Sequence, residues 1–302
     1  MKHKILYINT PTYTGGAEFN LLPLMRNLNP MRYAPVLVTS GEGQLTEAAR
    51  HYGIETTIQK FPWLSRRKPW VYLMSVAQLL KTIARANIAL IHTNCLDTAG
   101  QVGWASRLTR VPYIGHVRDF GNGWSLPQNV RFLREAKCVV ANSKAIANHV
   151  AKLGVSESLI KVVYNPIDSP GDAKPMDKAE KARVRGLCGV REAALLVGIV
   201  GQIQEIKGHA DLVRAAPLIL KHRPGTHFLV VGAPFGDEAK QYQARLKDLI
   251  IGLGLSEQFH FVGFRDDVHT LMQALDMLVV PSWREPFGRV VVEGMAAGCP
   301  VI

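Results

Sequence analysis

The chain is expected to be an α/β protein of two parallel-sheet domains, and three observations point there. Short β-rich apolar runs alternate with longer stretches of helical spacing, the pattern of strand–helix–strand units. The alternation is interrupted once, by the polar, proline-rich stretch Ser169-Pro170-Gly171-Asp172-Ala173-Lys174-Pro175, and then restarts. At 302 residues, 47% hydrophobic and 20% charged, the chain can bury two ordinary cores.

In the first half, strands are expected at Ile5–Ile8, Pro35–Val38, Ile88–His92, Tyr113–His116, Cys138–Ala141 and Ile160–Tyr164. Helices are expected near 17–28, 71–86, 97–109 and 143–153. In the second half the strands are Ala194–Val200, His227–Val231, Phe259–Val262 and Leu278–Val280, with helices near 177–187, 207–222, 236–251 and 266–275. The boundaries drawn are 1–168 and 169–302. In two Rossmann-like halves joined by a linker, ligands bind at the carboxyl ends of the strands, facing a cleft.

No apolar stretch approaches the ~20 residues that span a bilayer. The N-terminus has too short an apolar region for a signal peptide and reads as a first buried strand. Cys95, Cys138, Cys188 and Cys299 are dispersed, with no Cys-x-x-Cys pair, which suits a reducing compartment and a cytoplasmic protein. The net charge of +12 is uneven. Residues 1–168 carry 20 Lys and Arg against 9 Asp and Glu, whereas 169–302 carry 16 against 15. A basic half fits an anionic partner. The densest patch, Phe61-Pro62-Trp63-Leu64-Ser65-Arg66-Arg67-Lys68-Pro69-Trp70, reads either as a solvated loop or as a contact with an anionic membrane surface through Arg66, Arg67 and Lys68. The basic half lacks a nucleic-acid reading motif, so no nucleic-acid partner is expected.

Six segments could carry chemistry. After the first strand, Gly15-Gly16 lets backbone N–H groups approach an anion. Gly115-His116-Val117-Arg118-Asp119 sets a histidine at a strand tip, where it can hydrogen-bond a hydroxyl; Arg118 could neutralise a phosphate or an acceptor. Gly201-Gln202 leads to Lys207-Gly208, a compact cation beside a helix start. Val231-Gly232 and Gly263-Phe264-Arg265-Asp266-Asp267 are strand ends with turns, and Asp266–Asp267 read as a helix opening. Finally, Glu285-Pro286-Phe287-Gly288 and Glu293 place two carboxylates on a loop and on the following helix, both expected to face one crevice that suits a polyol.

Taken together and in order, Gly-Gly-Ala-Glu, the strand-end His116, Lys207-Gly208 and the Glu285…Glu293 signature resemble the retaining glycosyltransferases of family 4, which have the GT-B fold. The resemblance implies two Rossmann-like domains facing across a cleft and transfer of a sugar from a nucleotide-sugar donor to a glycan or lipid-linked hydroxyl acceptor, with retained configuration. It implies donor contacts from Gly15, Gly16, Gln202, Lys207, Gly232, Arg265, Glu285, Phe287, Gly288 and Glu293. Catalytic roles fall to His116, Glu285 and Lys207. Acceptor or membrane contacts fall to Arg66, Arg67, Lys68 and Arg118. Gln202 stands where similar proteins carry arginine, which shifts leaving-group stabilisation toward Lys207.

No cofactor is expected, the nucleotide-sugar being a substrate. No metal is expected either, since the sequence lacks Asp-x-Asp and zinc spacings. Similar enzymes continue beyond the Cys299-Pro300-Val301-Ile302 strand, so the second domain is expected to be incomplete at its C-terminus. The resemblance points to cell-surface polysaccharide or glycolipid assembly at the inner face of the membrane. Two alternatives are a catalytically impaired homologue or fragment that binds nucleotide or membrane, and a nucleotide-sugar epimerase of the same fold.

Overall fold

The computed structural model describes residues 2–11, 18–65, 67–94, 96–121, 127–167 and 175–302. The chain divides into two compact units, Met1–Pro166 and Ile167–Ile302.

Unit 1 runs β1 (His3–Asn9), α1 (Glu18–Arg26), β2 (Tyr33–Thr39), α2 (Gln44–His51), β3 (Glu55–Ile58), α3 (Pro69–Ala86) and β4 (Ile88–Thr93). It continues with α4 (Ala99–Thr109), β5 (Tyr113–Val117), α5 (Pro127–Leu133), β6 (Cys138–Ala141), α6 (Lys144–Lys152) and β7 (Ile160–Val162). The strands form one sheet in the order β3-β2-β1-β4-β5-β6-β7, and every pairing is parallel. Strand order reverses between β1 and β4, the switch point where open α/β sheets bind ligands.

The period of two along β1 divides the core. Leu6 and Ile8 pack with Val36, Val38, Leu79, Ile83 and Val102 on one face. Ile5 and Tyr7 pack with Leu21, Met25, Leu37 and Leu45 on the other. A fully buried leucine such as Leu6 contributes roughly 1.5–3 kcal/mol. The apolar spacing overlooks α2, β3 and α5. β3 is a four-residue edge strand whose sequence is Glu-Thr-Thr-Ile, and α5 has only seven residues.

Unit 2 comprises α7 (Lys178–Leu187), β8 (Leu195–Val200), α8 (His209–His222), β9 (Thr226–Val231), α9 (Asp237–Gly252), β10 (Phe259–Gly263), α10 (Val268–Ala274), β11 (Met277–Leu278) and α11 (Arg289–Ala296). Its sheet has the order β10-β9-β8-β11, again parallel, and Val301 bridges Leu278. Alternate residues of β8 face opposite layers. Val197 and Ile199 pack with Leu212 of α8 and Leu246 of α9. Leu196 packs with Val184 of α7 and Leu271 of α10.

Two helix starts differ from expectation. The segment Glu205–Lys207 is a 3-10 turn, and α8 begins only at His209 because Gly208 adopts φ +70°. Leu96–Thr98 is likewise a 3-10 turn ahead of α4.

Candidate active site

In unit 2 the turn after β8 and the loop after β11 come together. The turn that carries Lys207 is docked by its glycine. A Cβ on Gly208 would lie 2.1 Å from the Pro281 carbonyl oxygen, so the turn lies directly on the loop that follows β11. Trp283 N–H donates to the Ile206 carbonyl at 3.0 Å, and its indole N–H donates to Asp211 at 2.6 Å. This docking brings the Lys207 ammonium to the Glu285 carboxylate at 2.5 Å. Both side chains are about a quarter exposed, at 26% and 22%. Glu285 also lines a cavity of about 830 Å³ with Ser282, Val280, Val291 and Cys299. Lysine and glutamate therefore occupy each other.

Gly288 caps α11 at φ +75°. Phe287 precedes it, and both are at least partly buried. Glu293 lies within α11, as expected, but it does not line the cavity with Glu285. Arg289, one turn earlier, holds its carboxylate at 2.7 Å and 3.0 Å. Arg289 is not among the residues expected from sequence to meet the donor, although the i,i+4 spacing carries the signal.

Gln202 is exposed and accepts from the Gln204 amide at 2.9 Å. Arg265 clamps Asp267 with two bonds of 2.7 Å and 2.6 Å. Asp267 occupies the N-cap position of α10 without capping it through its side chain, so its carboxylate serves Arg265 rather than the helix amides. The Arg265 bond holds that carboxyl below the usual range. Gly232 has a structural reason of its own: at φ +143°, a Cβ there would lie 1.9 Å from the Gly201 carbonyl oxygen.

Unit 1 presents a different site. The carboxyl ends of its strands are joined by a polar network. Asn94 donates to Asn9 at 2.7 Å across the switch point. Arg118 donates to Asn94 at 2.8 Å and to Asn165 at 2.7 Å. Asn142 donates to the Arg118 carbonyl at 3.0 Å. His116, only 6% exposed, has Nδ1 at 3.1 Å from Nε2 of His92 and at 3.3 Å from the Arg118 guanidinium. Arg118 can only donate, so Nδ1 accepts and a neutral His116 carries its proton on Nε2. That Nε2 is buried and meets no partner among the described residues.

Arg118 is thus a clamp within the network rather than an open cation. Asp119 accepts from the Gly121 N–H at 2.6 Å and shapes the turn. Burial, then the Arg118 charge and the neighbouring His92, hold His116 well below the usual histidine range. Burial and Arg118 bring His92 down to about 3. Both rings are neutral near neutral pH. In unit 2, burial brings His209 down to about 4. Burial pushes the Asp97 carboxyl up, against the lowering bond from Thr10.

His92, Asn9, Asn94, Asn142 and Asn165 escape sequence reasoning. Each is a polar residue at or just beyond the end of a β-run, and that position is the signal. Gly15, Gly16 and Arg66 lie outside the described residues. Arg67 and Lys68 are exposed ahead of α3. Among the described residues no cluster of His, Cys, Asp or Glu is arranged to hold a metal ion.

Both units are similar to known glycosyltransferases. Residues 14–169 match the profile of Glycosyltransferase Family 4, and residues 189–302 match that of Glycosyl transferases group 1. A D-inositol 3-phosphate glycosyltransferase of Nocardia farcinica is 32% identical over 225 residues, covering 68% of this chain and 49% of the relative. The lipopolysaccharide core biosynthesis glycosyltransferase LpsE of Rhizobium meliloti is 29% identical over 203 residues, covering 67% and 54%. The chain spans about half the length of these curated relatives. The crystal structure of Anabaena HepE in complex with UDP matches with a TM-score of 0.84 at 26% identity, covering 99% of this chain and 79% of that one. Its complex with UDP-glucose matches at 0.79 and 27% identity, with the same coverage. The structural neighbours are GT-B glycosyltransferases with two Rossmann-like domains, and this chain belongs to glycosyltransferase family 4.

Proposed function

We propose that the protein transfers a sugar from a nucleotide-sugar donor to a hydroxyl acceptor with retained anomeric configuration. The observation that carries this reading is the Lys207–Glu285 pair, which joins the turn after β8 to the loop after β11, where Glu285 also lines a cavity. In the step proposed, the bond between the anomeric carbon and the diphosphate oxygen breaks, and its electron pair leaves with the diphosphate. The acceptor oxygen bonds the same carbon on the same face, and its proton passes to the departing diphosphate.

Lys207 stabilises the charge growing on the leaving group. Glu285, released from Lys207, accepts hydrogen bonds from sugar hydroxyls. His116 remains a catalytic proposal carried by the family resemblance. Gln202, Gly232, Arg265, Phe287, Gly288 and Glu293 remain donor-side proposals. UDP and UDP-glucose in the Anabaena complexes support a uridine donor. The LpsE relative supports an acceptor in surface polysaccharide or glycolipid assembly. The described cysteines are free thiols, which suits the cytoplasm.

Calorimetric titration with UDP, GDP, ADP and CDP tests the reading. One nucleotide is expected to bind selectively, and Lys207→Ala to weaken it about 10–100-fold, the range of a hydrogen bond to a charged group. Glu285→Gln frees Lys207, so nucleoside diphosphate affinity should hold or rise while sugar turnover falls. A folded wild type that binds none of the four, or a Glu285→Gln variant with full turnover, overturns the assignment. NMR of the first-formed glycoside reads the anomeric outcome.

A further inference from the structure

The histidine at the tip of β5 belongs to a row of polar rings that strand register sets across one face of the unit 1 sheet. Tyr7 of β1 lies opposite His92 of β4, and His92 lies opposite Ile114 of β5. Side chains two apart share a face, so His116 follows Ile114 as the next neighbour of His92 on that face. The Tyr7 and His92 rings pack with centroids 5.0 Å apart, and the His92 and His116 rings with centroids 5.3 Å apart. All three are buried, so what they meet is decided inside the protein.

The 3.1 Å between Nε2 of His92 and Nδ1 of His116 restricts where the protons sit. Two protonated nitrogens would clash at that distance and two lone pairs would repel, so one ring donates to the other. Arg118 decides which. Its Nε donates to Asn94 at 2.8 Å and one terminal nitrogen to Asn165 at 2.7 Å, while Asn94 is itself anchored on Asn9 at 2.7 Å. The other terminal nitrogen stands 3.3 Å from Nδ1 of His116, and a guanidinium nitrogen can only donate. Nδ1 of His116 is therefore the acceptor, and His92 carries a proton on Nε2 and donates it. Both rings are neutral near neutral pH, which places the single ring proton of His116 on its own Nε2.

One group is left over. Nε2 of His116 is buried and has no partner among the described residues. An orphaned buried N–H costs about 1–3 kcal/mol. A ring held by two donors on one side and left open on the other keeps that N–H for an acceptor atom that the described residues do not supply. The bonds accepted at Nδ1 also draw charge from the ring and strengthen its Nε2–H as a donor. His92 thus acts on His116 in two ways: it selects the tautomer, and it polarises the N–H that remains.

We propose that His92 is a positioning residue: its Nε2–H donates to Nδ1 of His116 and, together with Arg118, holds His116 in the tautomer and orientation that leave Nε2–H to meet a substrate oxygen. The inference rests on the proposed part of His116 in sugar transfer, whereas the bond between the two rings is read without any substrate.

The test is nitrogen NMR of the full chain carrying isotope-labelled histidine, beside steady-state kinetics. In wild type both rings should be protonated on Nε2, with a coupling across the hydrogen bond between His92 Nε2 and His116 Nδ1. His92→Phe keeps a ring against Tyr7 and removes the donor. The Nε2–H preference of His116 should then fall about tenfold, and kcat about tenfold with the donor KM within about twofold of wild type. His92→Gln supplies an amide N–H in place of the ring donor and should hold kcat within about threefold of wild type. Wild type with the His116 proton on Nδ1, or without the coupling, overturns the proposal. So does a His92→Phe variant that matches wild type in tautomer and kcat. A folded His92→Gln that loses as much turnover as His92→Phe also overturns it, because His92 would then act through its shape alone. If wild type transfers no sugar, the reaction assigned above falls, and the coupling and the tautomer shift in His92→Phe still support or overturn the hold of His92 on His116.

Discussion

The two units present polar groups at the carboxyl ends of their strands in opposite ways. In unit 1 the groups are buried and neutral: His92, His116 and Asn94 are each less than a tenth exposed, and Arg118 ties Asn94 to His116. In unit 2 the groups are half-buried charges paired with one another: Lys207 with Glu285, Arg289 with Glu293 and Arg265 with Asp267. A buried neutral network is costly to disturb and is set at folding. Partly solvated ion pairs are individually weak and exchange readily for a ligand's charges. Unit 1 is therefore built to hold a geometry, and unit 2 to trade partners.

The largest effect expected on this comparison is in backbone packing. Gly232→Val puts a side chain into the Gly201 carbonyl at a φ of +143°. It should destabilise unit 2 by about 4 kcal/mol or more. Hydrogen exchange would show it, with amide protection lost in β8 and β9 and kept in β1 and β4. Equal loss in both units would erase the distinction drawn here.

Acidification probes unit 1. The folded His92 and His116 lie below the unfolded histidine value, so the unfolded state takes up their protons first. The stability they contribute is complete above about pH 6.5 and is lost as pH falls toward the folded values, at about 1.4 kcal/mol per pH unit for each ring. His209 in unit 2 acts with the same sign. Urea midpoints between about pH 7 and about pH 5 should fall for wild type and fall less for His92→Gln, which keeps a neutral amide and removes one titration. A variant that tracks wild type across that range would mean the pair is not buried in solution.

The smallest effect concerns Asp97. Its carboxyl is pushed up by burial, so the ionised form is disfavoured in the fold, and stability is lost as pH rises through the folded value. Asp97→Asn keeps an acceptor for Thr10 and removes the charge, and it should raise stability near pH 7. Thermal unfolding at neutral and acid pH checks the sign. A loss at neutral pH would show that Asp97 is held ionised by groups outside the described residues.

The sequence by itself determined the alternation of strands and helices, the positions of Lys207 beside a helix start and of His116 at a strand end, and the loop-and-helix setting of Glu285 and Glu293. These are local properties. They follow from apolar period, from glycines that stop helices and from polar residues at the ends of apolar runs. It left out α2, β3 and α5, too short for their periodicity to register. It also did not determine partners. That Lys207 closes on Glu285, that Arg118 turns inward to Asn94 and Asn165, and that His92 lies beside His116 were decided only by tertiary structure. Those contacts join residues far apart in the chain. Sheet register and the docking of Gly208 on Pro281 select them, and neither leaves a periodic trace in sequence.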